Sequence, residues 1–156
     1  MRILMIYPEF PDTFWSFKYA LRFVRKKASF PPLGLLTVAA LLPDEWEKRL
    51  VDMNVRRLHD RDLMWADYVF ISAMVAQRDS AREVVERCNE LGVKTVAGGP
   101  LFLDEHDRFP TINHFVLGEA EDIMGQVAAE LEAGTAKRVY QADEFPSTES
   151  SPVPSW

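Results

Sequence analysis

Short apolar runs alternate with stretches of helical period along most of this chain. The runs cover residues 2–7, 49–53, 68–73, 93–97 and 114–117, and several stop at glycine, proline or another small residue. Continuous rather than alternating apolar character suits strands buried on both faces, the condition of a parallel sheet flanked by helices. A chain patterned this way must cover both sides of one sheet.

The segments between the runs supply that cover. Over 78–91, Ala81, Val84, Val85, Cys88 and Leu91 recur at the spacing of one helix face, and Gly92 follows as a stop. Over 119–132, Ile123, Met124, Val127, Ala128 and Leu131 repeat the pattern before Gly134, with Glu119, Glu121 and Asp122 placed for the positive end of a helix. Residues 33–42 are apolar all round, opened by Pro31-Pro32 and closed by Pro43, so they predict a buried crossover helix. The expected fold is α/β: a flavodoxin-like, doubly wound, five-stranded parallel sheet, a Rossmann-like three-layer sandwich. An extra aromatic-rich segment follows the first strand. This connection, 8–30, carries Phe10, Phe14, Trp15, Phe17, Tyr19, Phe23 and Phe30, with a further helix predicted over 13–27.

At 156 residues and 47% hydrophobic composition the chain has the material for one core. A net charge of -6 argues against a nucleic-acid partner, because binding a phosphate backbone requires clustered lysine and arginine. No apolar run approaches the roughly 18 residues of a membrane span, and no export signal opens the chain, so the expected setting is cytoplasmic. The single cysteine, Cys88, rules out an internal disulfide or a multi-cysteine cluster made by this chain alone, and its apolar helix face marks it as core. His59, His106 and His114 lack ligand spacing. No Walker loop, Gly-x-Ser-x-Gly elbow, His-Glu-x-x-His or Gly-x-Gly-x-x-Gly is present. No catalytic residue is assigned.

The strand ends are more informative. In open α/β sheets ligands bind outside the carboxyl ends of the strands, and small residues there admit a ligand to the backbone. Four junctions meet this description: the connection from Pro8, Ser72-Ala73-Met74 with Gln77, Gly98-Gly99-Pro100, and Gly118-Glu119. A tight turn and a ligand berth are both open readings of Gly98-Gly99-Pro100, as a helix start and a ligand contact are of Glu119. After Gln141, serine, threonine, glutamate and prolines replace periodic pattern, so 1–141 is expected to be the domain and 142–156 a linker.

Pro31-Pro32-Leu33-Gly34-Leu35-Leu36, Gly98-Gly99-Pro100, Phe115-Val116-Leu117-Gly118-Glu119-Ala120-Glu121 and Ser151-Pro152-Val153-Pro154, in this order, resemble the amino-terminal cobalamin-binding domain of cobalamin-dependent radical S-adenosylmethionine enzymes. The resemblance implies a corrin ring across the carboxyl edge of the sheet and a nucleotide tail between strand ends. Ser72, Ala73, Met74 and Gln77 would line the tail's channel, Gly98, Gly99 and Pro100 border it, Gly118 and Glu119 close its far side, and Pro8, Leu33 and Gly34 its near rim. It also implies a radical SAM barrel in the same polypeptide, holding S-adenosylmethionine and a [4Fe-4S] cluster on a cysteine triad absent here, and a small-molecule or lipid substrate. One departure stands out. Related cobalamin proteins carry Asp-x-His-x-x-Gly after the first strand, where this chain reads Pro8-Glu9-Phe10-Pro11-Asp12-Thr13, so the expectation is base-off cobalamin without a protein imidazole on cobalt. The alternative is a flavodoxin-like interaction or regulatory module that binds no cofactor.

Overall fold

The computed structural model describes residues 1–11, 31–142 and 152–154. The helix expected over 13–27 and most of the aromatic connection and of the expected linker lie outside the described residues. Among those described, the strands are β1 (Arg2–Tyr7), β2 (Glu47–Asp52), β3 (Tyr68–Ser72), β4 (Lys94–Gly98), β5 (His114–Leu117) and β6 (Val139–Gln141). The helices are α1 (Leu33–Leu41), α2 (Asp60–Trp65), α3 (Arg78–Glu90), α4 (Pro100–Glu105) and α5 (Met124–Ala133).

All strand pairs are parallel, in the order β2-β1-β3-β4-β5-β6. The sheet thus has six strands where five were expected. The sixth, β6, is three residues long and buries only Tyr140, too little for an apolar run to register. Two six-residue helices, α2 and α4, were also missed. The helix expected from residue 119 starts at Met124, because Gly118 turns through a positive φ of 85° and residues 120–123 form a turn. Glu119, Glu121 and Asp122 therefore precede the helix rather than form its first turn.

Alternation along the strands sorts the core into two layers. Ile3, Met5, Phe70, Val96, Val116 and Tyr140 face Leu35 and Ala39 of α1 and Met124, Val127, Ala128 and Leu131 of α5. Leu4, Ile6, Val69, Ile71, Phe115 and Leu117 face Leu63 of α2, the Ala81, Val84, Val85 and Cys88 stripe of α3, and Leu101 and Phe102 of α4. The sandwich is doubly wound as the pattern implied. Cys88 is fully buried in it, and burial pushes its thiol up to about 12, so it packs as a small apolar group.

The connections from β1 to β2 and from β2 through β5 change face when they change direction, so they share one hand. The last does not. It steps outward from β5 to β6 by way of α5, which lies on the α1 layer, and so has the opposite hand to the rest. Its consequence is that α1 and α5 pack side by side on one face, and their first turns stand together at the carboxyl edge.

Candidate functional site

Tyr7, Ser72 and Gly98 end their strands at positions that alternation turns toward the α1–α5 layer, and Gly118 follows two residues after Val116 on the same side. Ser72 pairs with Gly98 and Gly98 with Val116, so Tyr7, Ser72, Gly98 and Val116 form a row across the sheet, with Gly118 one step above Val116. From Tyr7 through Ser72 to Gly98 the side chain shrinks from phenol to hydroxymethyl to hydrogen, and Gly118 again has none. Phe70 and Val96, one step below Ser72 and Gly98, and Val116, one step below Gly118, carry larger groups. With little above them, these three become the floor of an open cleft of about 530 Å³ between the first turns of α1 and α5. That volume is in the range of small-molecule and cofactor sites.

Two of the glycines are also required by the backbone. A Cβ on Gly99 would lie 2.7 Å from Ser72 Oγ, and Gly99 has φ 90°; a Cβ on Gly98 would lie 2.9 Å from the Val116 carbonyl oxygen. Gly99 precedes Pro100 at the start of α4, so Gly98-Gly99-Pro100 is both a strand-to-helix junction and a cleft wall. Gly34 is different, since no atom lies within 4 Å of the Cβ it lacks.

The starts of three helices meet the cleft at Leu33, Pro100 and Met124, while Asp104, Glu119 and Glu121 line it with carboxylates. Its hydroxyls are those of Tyr7, Thr37 and Ser72. Burial, and then the charge of Asp52, raise the Tyr7 phenol above its ordinary value, so it remains protonated at neutral pH. Among the described residues, no lysine, arginine or histidine lines the cleft and no group of metal-ligating side chains is assembled. His59 caps α2, His106 follows α4, and His114 opens β5 with Nδ1 2.6 Å from the Lys137 carbonyl oxygen.

Of the residues singled out from sequence, Leu33, Gly34, Ser72, Met74, Gly98, Gly99, Pro100, Gly118 and Glu119 stand on the cleft wall. Pro8, Ala73 and Gln77 do not. Each is buried behind the wall, and the Ala73 carbonyl is taken by the Leu101 amide at 3.0 Å. Gln77 is 1% exposed, and its amide is used inside the protein: Oε1 accepts from the Met74 amide and Nε2 donates to the Pro8 carbonyl. The reading of Gln77 as a channel residue is corrected accordingly. Sequence reasoning missed Tyr7, Leu103 and Asp104; Phe70, Val96 and Val116, read as buried strand residues, are core side chains that also border the cleft. Counting by two from Met5 would have placed Tyr7 on the cleft face; Leu103 and Asp104 needed α4.

A doubly wound sheet with an open, apolar-floored cleft at its carboxyl edge defines a ligand-holding α/β domain. The B12 binding domain family model matches residues 23–128. The chain belongs to the B12-binding domain family. It is similar to an uncharacterized methyltransferase of Synechocystis sp., 38% identical over 158 residues, all of this chain and 30% of the relative. It is also similar to the hopanoid C-2 methylase of Rhodopseudomonas palustris, 36% identical over 131 residues, 83% of this chain and 25% of the relative. The chain spans about a quarter to a third of the length of these curated relatives. No described helix is long and apolar enough to cross a membrane.

Proposed function

We propose that this chain is the cobalamin-holding part of a longer radical S-adenosylmethionine enzyme that transfers a methyl group or performs related radical chemistry. The carrying observation is that Ser72, Gly98 and Gly118, each two residues beyond Phe70, Val96 and Val116 on the cleft face, have little or no side chain, which leaves those three as an apolar floor for a flat heterocycle. In this reading 1–141 is the binding domain and 142–156 leads toward a barrel that carries S-adenosylmethionine and a [4Fe-4S] cluster. The naming of one relative as a hopanoid methylase supports a lipid among the candidate substrates.

The residues fit the group. Phe70, Val96 and Val116 would receive the nucleotide base, while Tyr7, Thr37 and Ser72 offer hydroxyls and the first turns of α1 and α5 offer backbone amides to its phosphodiester. Bound cobalamin supplies a cobalt centre that carries a methyl group or an electron. This chain's residues bind and orient it, and Leu33, Met74 and Leu103, each about half exposed at the mouth, exclude water from its near side. Because all three histidines lie away from the cleft, the reading is a base-off corrinoid with no imidazole from this chain on cobalt.

Titration with hydroxocobalamin, followed by absorption, tests this. A saturable change at one equivalent, ending in a spectrum without imidazole coordination, is expected. No change would favour the cofactor-free interaction module instead, and an imidazole-ligated spectrum would refute the ligation reading alone.

A further inference from the structure

The backbone just after β1 is held by three side chains from two other parts of the chain. The Pro8 carbonyl accepts from Gln77 Nε2 at 2.5 Å and from Asn54 Nδ2 at 3.1 Å. The Glu9 amide donates to Ser80 Oγ at 3.0 Å, and the Phe10 amide donates to Asn54 Oδ1 at 2.9 Å. Asn54 is itself fixed by Asp52 Oδ1, which accepts its backbone amide at 2.9 Å and its side-chain amide at 2.8 Å. Loops at strand ends usually leave such groups to water, and ordering side chains to replace it costs conformational entropy. Here that cost is met for one short stretch.

The stretch sits beside the cleft. Tyr7, the residue before Pro8, lines it, and Gln77 joins the Pro8 carbonyl to the amide of Met74, another lining residue, at 2.8 Å. Gln77 therefore cross-links the loops after β1 and β3 from behind the wall, and Asn54 adds the loop after β2. A packing role alone would need neither the paired donors on one carbonyl nor the separate capture of two successive amides.

We infer that Gln77, Asn54 and Ser80 are positioning residues for corrinoid capture, holding residues 8–10 in their ligand-ready shape before the ligand arrives. This rests on the cobalamin reading above. The loop has no histidine to anchor the corrinoid through cobalt, so a rigid seat must lower the ordering cost that a metal–ligand bond would otherwise offset.

The test compares the unaltered chain with Gln77→Met, which keeps the bulk and removes both hydrogen bonds, with Ser80→Ala, and with Ser80→Thr, which keeps the hydroxyl. Amide hydrogen exchange at Glu9 and Phe10 is read without ligand, and the association rate and Kd for hydroxocobalamin are read separately. Protection of both amides is expected in the unaltered chain. Ser80→Ala should release Glu9 and weaken binding by about 3- to 10-fold, and Gln77→Met by about 10- to 30-fold, on the scale of ordering a few residues. The loss should fall on association, with the bound spectrum unchanged, and Ser80→Thr should restore both readouts. Released amides with an unaltered Kd would overturn the positioning role while leaving the cobalamin reading intact. Protected amides in an unaltered chain that gives no spectral change would overturn the cobalamin reading and the role resting on it. Should Gln77→Met fail to fold, the half-buried Ser80 pair decides the matter alone.

Discussion

Gly34 and Gly99 both border the cleft, yet they are glycines for different reasons, and substitution separates these. Gly99 has φ 90° and ψ 177°, a backbone region essentially restricted to glycine, and its missing Cβ would meet Ser72 Oγ. Gly99→Ala is therefore expected to destabilise the fold by about 1–3 kcal/mol in urea denaturation, whatever it does to binding. Gly34, in the first turn of α1, has open space where a side chain would start. Gly34→Phe should leave the urea midpoint unchanged or slightly raised, since glycine is a poor helix former, while weakening hydroxocobalamin binding about tenfold or more by filling the cleft. A wild-type Kd in Gly34→Phe would remove this end of the cleft from the site. The sequence marked both glycines as places without a side chain. It could not say which absence the backbone required, because that depends on Ser72 and Ala73, distant from Gly99 in sequence and brought close only by strand pairing.

At the scale of elements, α5 is the part whose placement shapes the cleft, and it is tied down at two points. Trp46, buried before β2, donates from Nε1 to Glu132 at 2.7 Å. Tyr140 of β6 donates to Glu130 at 2.7 Å, accepts the Lys137 amide at 2.8 Å, and so joins the short strand to the helix. Hydrogen bonds from Gln126 and then Tyr140 hold the Glu130 carboxyl below its ordinary value of 4.5. A carboxylate lowered in the folded state adds stability above its unfolded value, and that contribution is lost as pH falls through the folded one. Glu130→Gln should accordingly lower Tm slightly near pH 7 and converge with the unaltered chain as pH falls below 4.5, so that its acid fall is the shallower, a comparison thermal melts can make. An equally steep acid limb in the variant would show that other carboxylates, such as Glu105 on Arg78 and Arg108, carry the dependence. The long apolar periods of α1, α3 and α5 were readable in the sequence. The short helix α4 and strand β6 were not, because six and three residues complete too few repeats of either period to stand out.

For the whole molecule, the two layers divide the work. The α2–α3–α4 side is closed by Cys88, Leu101, Phe102 and Phe115, all fully buried, whereas the α1–α5 side carries the open cleft. A ligand that binds only the folded chain stabilises it by mass action, about 2.7 kcal/mol at a hundredfold excess over Kd. For a domain of this size that corresponds to a rise in Tm of about 5–10 °C with hydroxocobalamin, against none with the cleft blocked by Gly34→Phe. The sequence by itself determined the layered α/β architecture and the carboxyl edge as the place of interest, because burial on two faces and the small residues at strand ends are written in local pattern. Only the tertiary structure decided which of those residues share a wall. Register set Tyr7, Ser72 and Gly98 in one row, the reversed hand of the last connection brought α5 beside α1, and packing turned the Gln77 amide inward to Pro8. Each of these depends on contacts between segments far apart in the chain, which no local period encodes.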